Sequence, residues 1–423
     1  MDFPKMIRIR QKFESRTLSD IPREISKQVR QLPLENRIRP NQRVAIACSS
    51  RGIAHYGLII QSVVSSIKRL GLKPFIIPAM GSHGSATAEG QKAVLENLEV
   101  SQEKCGAPVR SSLEVEPIGV TKEGIPVLID RLASEADFIV PVNRIKRHTD
   151  FEGEIESGVM KIMVIGLGKQ KGAEVYHQAM YRYGYERVIL SVARKVIESG
   201  RILFGVGIIE DAFAQSASIH VLKPQELEKR EKELLVISKE STPGLPFDDV
   251  DVLVIDEMGK DISGSGFETK VVGRIGLPLI SKEPETPRVK RIVVCNLTDK
   301  TEGNAAGVGI ADLITRRLAD KIDMESTNMN CLTSGDPEGG KIPIIMENDK
   351  EAIQMAIQCV GKIPKNKLRM IRIKNTLHLD VVEVSTAYKE DLGKRQDLEL
   401  ISEEESMAFD EKCNLKPFTT SAI

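Results

Sequence analysis

The chain has 423 residues, 41% of them apolar and 4% aromatic, with no tryptophan; that is enough for more than one core and poor in the rings that stack on single-stranded bases. Its 60 basic and 60 acidic residues cancel, which removes any overall bias toward nucleic acid or an anionic membrane and leaves room for a local anion pocket. No window approaches the roughly 18 uninterrupted apolar residues of a membrane span.

The N-terminal MDFPKMIRIRQKF lacks the apolar stretch of a signal peptide. Six cysteines (Cys48, Cys105, Cys295, Cys331, Cys359 and Cys413) contain no CxxC pair, which argues against a zinc ribbon, a cysteine-rich iron–sulfur motif or a disulfide framework. A reduced, cytoplasmic protein is expected.

In chain order, RVAIACS over 43–49 reads as a buried strand and YGLIIQSVVSSIKRLG over 56–71 as the helix after it. PFIIPAM over 74–80 is the next strand, and SATAEGQKAVLENL over 85–98 the next helix, capped by Ser85 or Thr87. ADFIVPV over 136–142 is another short strand. A helical pattern follows Gly172 and runs to about Ser199, RILFGVGII over 201–209 is strand-like, and the charged stretch 226–239 is helical. STPGLPFDD over 241–249 is rich in turn residues and marks a boundary. Beyond it, DVLVID (251–256), RIVVCNL (291–297), a helix around 311–322 and RMIRI (369–373) form a second set. This rhythm indicates βα units on mostly parallel sheets. The expected fold is two α/β domains, over 1–243 and 250–423, with an active-site cleft between them and a hinge near 241–249.

Three loops fall at carboxyl ends of predicted strands, where open α/β sheets place ligands. Arg51, in CSSRG, is suited to a bidentate contact with a carboxylate or phosphate, or is a surface arginine in a turn. Gly81-Ser82-His83-Gly84-Ser85 is a turn of small residues, through which the amides around Ser82, Gly84 and Ser85 can approach an anion beside a helix N-terminus. His83 within it is an uncommon choice for a structural turn, against the alternative of an ordinary loop histidine. The third run, 143–177, places His148 just past a strand with Arg144, Lys146 and Arg147 before it. Lys161 follows in the apolar MKIMVIG, where a lysine is snorkelling, paired or reacting. His177 closes the run on a helix, as a ligand or a satisfied helix histidine. Each residue alone reads as ordinary. Together they put three of the six histidines in two strand-end loops and the segment after them. His55, His220 and His378 lack such company.

At these residues the chain resembles the lactate racemase family, whose N-terminal domain carries a histidine after the second strand, then a second histidine, a lysine and a third histidine. Those positions fall at His83, His148, Lys161 and His177. The resemblance is strong over 44–177 and looser beyond 250, and is greatest to a divergent branch with GSHG…ATAEGQ and HTDFEGEIESG signatures. Lys161 and His177 stand sixteen residues apart, as in the family. His148 and Lys161 stand thirteen apart, a few more than in lactate racemases proper, with DFEGEIESG as the inserted length.

The resemblance implies a nickel-pincer nucleotide, joined to Lys161 as a thioamide, with His177 completing square-planar nickel. It implies that His83 and His148 serve as acid and base on the hydroxyl of a small 2-hydroxy acid, lactate-like or a sugar acid, while the Cα hydride leaves and returns. Arg51 would hold the substrate carboxylate, and Lys260, in EMGKDISGSGFE, would be the second-domain cofactor lysine, with Lys270 competing. Two departures stand out: Cys48 occupies a position that is aspartate in proven racemases, and the second-domain lysine lacks a clean counterpart.

The implied partners are the hydroxy acid and the cofactor-synthesis enzymes, with no nucleic acid or membrane and with self-association left open. Two other readings remain at this point. One is a hydrolase with His83, His148 and His177 around zinc or iron and Glu152, Glu154 or Glu156 as base. The other is a non-catalytic binder of an anionic metabolite.

Overall fold

The computed structural model describes residues 3–50, 52–149, 151–276 and 283–417, so Arg51 lies outside the described residues. The chain divides into two compact units, one of residues 14–148 and 152–242, the other of 1–13, 149–151 and 243–423. Each is α/β.

The first unit is built on a five-stranded sheet in the order β3-β2-β6-β7-β8, with β2 Arg43–Cys48, β3 Lys73–Pro78, β6 Phe138–Arg144, β7 Gly205–Glu210 and β8 Ser216–Leu222. All pairings but β7–β8 are parallel. Alternate residues of a strand face opposite sides. Ala45 and Ala47 therefore join one core with Phe75, Ile77 and Ile139, while Val44, Ile46 and Cys48 join another with Ile76, Val140 and Val142. A sheet covered on both faces needs continuous apolar strands, which is why RVAIAC and PFIIP stand out in the sequence. The helix Tyr56–Arg69 connects β2 to β3, and Ala88–Asn97 follows β3. Of the two expected caps for the latter, Thr87 is the one used: its hydroxyl accepts the Gly90 N–H at 3.0 Å. A small antiparallel hairpin, β4 Val115–Val120 with β5 Pro126–Asp130, completes the unit.

The second unit holds a nine-stranded sheet in the order β12-β11-β10-β9-β13-β14-β1-β15, with β16 also on β1. Its strands are β1 Lys5–Gln11, β9 Asp249–Ile255, β10 Arg288–Val294, β11 Leu313–Thr315, β12 Ile344–Met346, β13 Met370–Ile373, β14 Val381–Ser385, β15 Leu398–Leu400 and β16 Glu405–Ser406. The centre is parallel and the β14–β1–β15 side antiparallel. The helix expected around 311–322 is mostly absent. Leu313 and Ile314 pair in register with Val293 and Val294, and only Arg316–Ala319 is helical. The apolar pair Leu-Ile beside β-branched Thr315 is better placed in the sheet than in a helix. No helix among the described residues is long and apolar enough to cross a membrane.

Candidate active site

Because β2, β3 and β6 run parallel, the segments after them emerge at one edge of the sheet. Ser50 follows β2, His83 follows β3 and His148 follows β6, with β2 between the other two.

His83 is exposed, and its Nδ1 is hydrogen-bonded to the Ser50 hydroxyl. Gly81, Gly84 and Ser85 all have positive φ, and a Cβ on Gly84 would stand 2.6 Å from the Gln91 nitrogen. Ser82 is half-buried. A 3-10 turn over Gly84–Ala86 separates this loop from the helix at Ala88, so the expected direct alignment of Ser82, Gly84 and Ser85 with a helix N-terminus is not formed. The loop is held from below instead. Gln91 donates to the Gly81 carbonyl at 2.8 Å and the His83 carbonyl at 3.3 Å. The ammonium of fully buried Lys169 donates to Gln91 Oε1 at 3.1 Å and to the Pro78 carbonyl at 2.5 Å, and pairs with Asp130 Oδ2 at 2.9 Å. Two hydrogen-bond acceptors and one ion-paired carboxylate thus surround the amine. Burial raises the Asp130 carboxyl and lowers Lys169, and their mutual attraction opposes both shifts.

His148 is half-buried, and its Nε2 lies 2.6 Å from the Nζ of Lys161. Its backbone N–H donates to Glu156 Oε2 at 2.6 Å, while Glu156 Oε1 takes the Gly153 N–H at 3.2 Å and pairs with Lys239 at 2.6 Å. Residues 151–158 of the inserted length are therefore folded back by a buried carboxylate of their own. Glu186 assists by accepting the N–H groups of Glu154 at 2.9 Å and Ile155 at 3.1 Å. The His148 ring lies 5.2 Å from that of Tyr185, tilted by 47°.

Lys161 ends the first helical turn of a run expected to start only after Gly172. The run begins at Val159, passes through a π-helical turn at Ile162–Gly166 and continues as Leu167–Tyr183. MKIMVIGLG is buried almost all round, so it carries no amphipathic period to betray a helix. Its start is capped by Glu231, whose Oε2 accepts the Met160 N–H at 3.0 Å. Glu231 is fully buried and its carboxyl is pushed up to about 8, mainly by burial. A Cβ on Gly158 would come within 2.2 Å of the other Glu231 oxygen, so only glycine fits there.

His177 is half-buried on the last helix, beyond a break at Lys169 (φ 56, ψ −160). The Tyr176 hydroxyl before it accepts the Leu128 N–H at 2.8 Å, which pins this helix to β5. A Cβ on Gly81 would lie 3.2 Å from Ile165 and 3.8 Å from the Ala173 Cβ. The GSHG loop therefore packs on the stretch between Lys161 and His177, and His177 lies one turn beyond Ala173 on the same helix face.

Cys48 is wholly buried in the core, its thiol pushed far up by desolvation; Ser50, two residues on, is the group that reaches His83. Lys260 belongs to the other unit, where its Nζ donates to the Gly264 carbonyl at 2.5 Å and to Asn330 Oδ1 at 2.6 Å. Lys270 is buried on the short helix Thr269–Val272. Among the described residues, no three His, Cys, Asp or Glu side chains are grouped to hold a metal ion, so His83, His148 and His177 do not form the three-ligand centre that a zinc or iron hydrolase would need.

Residues 6–187 match the lactate racemase N-terminal domain family. This bears out the resemblance to the lactate racemase family. The chain is also similar to a solved structure from Thermotoga maritima, at 14% identity and a TM-score of 0.51, over 86% of this chain and 99% of that one. It is similar to the lactate racemase apoprotein of Thermoanaerobacterium thermosaccharolyticum, at 13% identity and a TM-score of 0.51, over 86% of this chain and 94% of that one. At such identities the likeness concerns the fold. No curated protein matches the chain.

Several residues that hold these loops together escape motif reading. Ser50 sits inside CSSRG and Gln91 inside ATAEGQ, yet neither type announces its role. Lys169 was the more legible, as a lysine within apolar GLGK.

Proposed function

We propose that this chain racemises or epimerises a small 2-hydroxy acid. The observation that carries the reading is the convergence, at one sheet edge, of two histidines from different strand ends with a lysine amine 2.6 Å from one of them. Inversion requires an acceptor for the hydroxyl proton of each substrate hand, and a single fixed group serves both hands poorly. His83 and His148 approach from β3 and β6, either side of β2. The Ser50 hydroxyl at Nδ1 of His83 orients the ring, and His83 is proposed to hold or release the hydroxyl proton. Arg51 is the proposed carboxylate anchor.

The donor set fits the nickel-pincer nucleotide of the family: a half-buried amine at Lys161 for its tether and one imidazole, His177, for its metal. When bound, that group supplies the acceptor for the substrate's Cα hydrogen. The partners required are the hydroxy acid and the enzymes that make the cofactor, in the cytoplasm.

Protein made alongside the cofactor-synthesis enzymes should contain nickel and carry a mass adduct on Lys161, and should invert at least one member of a panel of 2-hydroxy and sugar acids. Lys161→Ala should abolish adduct and activity while leaving the fold intact. An active sample with Lys161 unmodified, or nickel-loaded protein inert on the whole panel, would overturn the proposal.

A further inference from the structure

Gln91 has no exposed surface, and an amide is tolerated there only when its polar atoms are matched. It lies in the first turn of the helix Ala88–Asn97, its own N–H donating to the Thr87 carbonyl at 3.0 Å. That helix start presses against the GSHG turn. A Cβ on Gly90 would stand 2.1 Å from the Gly84 carbonyl oxygen, and one on Gly84 2.9 Å from the Gln91 Cα. The two glycines thus bring the Gln91 side chain within reach of the turn, where its amide is left one orientation. The Gly81 and His83 carbonyl oxygens, at 2.8 and 3.3 Å, only accept, so the NH2 group must face them. Lys169, ion-paired with Asp130 at 2.9 Å, is an ammonium and only donates, so the amide oxygen must face it, at 3.1 Å. The hydrogen bonds therefore run one way, from the Lys169 ammonium to Gln91 and from Gln91 to the turn. The His83 N–H donates in its turn to the Met80 carbonyl at 3.1 Å. Both backbone polar groups of His83 are fixed by the fold, and its ring meets Ser50.

We infer that Gln91 is a positioning residue for His83: its amide, held in one orientation by Lys169, sets the backbone from which the ring reaches the sheet edge. The side chain has to be both donor and acceptor. A second oxygen in place of the NH2 group would face two carbonyl oxygens. An apolar group would leave those carbonyls and the ammonium short of a partner at a fully buried position. Proton transfer needs the ring within hydrogen-bond reach of the proton it moves, so a displaced turn lowers turnover before it weakens binding. Gln91 acts through His83 and touches no substrate. The consequence for turnover rests on the function proposed above, whereas the anchoring of His83 does not.

Two variants of the full-length, cofactor-free protein separate the two sides of the amide. Gln91→Glu keeps an oxygen for Lys169 and turns the donor into an acceptor against the carbonyls. Gln91→Met keeps the length and removes both. Gln91→Glu should therefore release the turn more while destabilising the fold less. Its hydrogen exchange over residues 80–86 should be about tenfold or more faster than in the parent, the loss expected for two hydrogen bonds, at a melting temperature above that of Gln91→Met. Diethyl pyrocarbonate should modify His83 severalfold faster than in the parent, read by peptide mass mapping against exposed His55, with exchange over 146–158 unchanged. Turn exchange that simply follows melting temperature in both variants is the signature of a merely structural amide and would overturn the inference. So would parent-like exchange and modification in Gln91→Glu. If Gln91→Glu does not fold, Gln91→Met decides by whether His83 modification rises or stays at the parent rate. In cofactor-loaded protein, Gln91→Glu should lower kcat about tenfold or more with KM within about threefold of the parent. A released turn in a protein whose parent inverts no acid of the panel would leave this inference standing and remove the proposed function. Racemisation with parent-like kcat and a parent-like turn in Gln91→Glu would do the reverse.

Discussion

The loop carrying His83 and the loop carrying His148 are held to the same sheet edge by opposite charges. Residues 79–91 hang on a cation: Lys169, with no exposed surface, bridges Pro78, Gln91 and Asp130. His148 and residues 153–155 hang on anions: Glu156 and Glu186 gather their backbone N–H groups. A carboxylate accepts several backbone donors at once and binds a loop along its length. A lysine reaches far with three protons and ties distant elements together at a point. The first loop is therefore fixed through the core of its unit and the second largely through itself.

Removing the cation should have the largest effect. Breaking a buried ion pair strands its partner at a cost of about 3–5 kcal/mol. Lys169→Ala should lower the unfolding free energy by that order in urea titrations, with hydrogen exchange accelerating over 79–91 before 146–158. A loss below about 1 kcal/mol would mean that the pair contributes little and the comparison fails.

Glu231 comes next, through pH. Its folded-state value near 8 lies above the ordinary 4.5, so between those values the native state binds a proton that the unfolded chain has released. Stability contributed by the protonated form is complete below about 4.5 and is lost as pH rises through about 8. The slope approaches 1.4 kcal/mol per pH unit as an upper limit. Melting temperatures of the parent should fall from pH 5 to pH 8 more steeply than those of Glu231→Gln; parallel curves would refute the assignment.

Glu156→Ala should cost about 1–3 kcal/mol, the usual penalty for orphaned buried donors, and should reverse the exchange pattern by loosening 146–158 and sparing 79–91. Identical patterns in the Lys169 and Glu156 variants would show that the loops are not independently held. The smallest effect belongs to Ser50→Ala. Its stability should stay within about 0.5 kcal/mol of the parent. Loss of one hydrogen bond of about 0.5–1.5 kcal/mol to the His83 ring should lower turnover by roughly two- to tenfold with little change in KM. A turnover equal to that of the parent would remove Ser50 from the site.

These contrasts also explain what could be read in the sequence. β2, β3, β6 and the helices after them were legible because each strand must be apolar on both faces, and Thr87 because a cap is a local event. The histidines and Lys161 were legible as a pattern tied to strand ends and to a family spacing. β1 was not, since its ladder is made with Val381–Ser385 near the other end of the chain, and a partner so distant leaves no local trace. The helix bearing Lys161 was hidden by uniform burial. The Lys169–Asp130 pair joins a helix to a hairpin strand, and nothing in either segment names the other. Ser50 was hidden differently: a serine in a turn is ordinary until a histidine from the next strand arrives beside it.

The sixteen-residue interval from Lys161 to His177 is not a ruler. It contains the π-helical turn at Ile162–Gly166 and the break at Lys169, a non-glycine residue in a backbone region that ordinarily costs about 1–3 kcal/mol. The Lys169 side chain has to stay in order to meet Asp130, so the conformation cannot be relieved with a glycine. An engineer moving this site to another scaffold could not graft four side chains onto a straight helix. The portable module is residues 159–183 together with 78–91, the strand end at Asp130 and the carboxyl of Glu231, and a one-residue deletion inside 162–169 should change which direction His177 faces while every named site residue remains present.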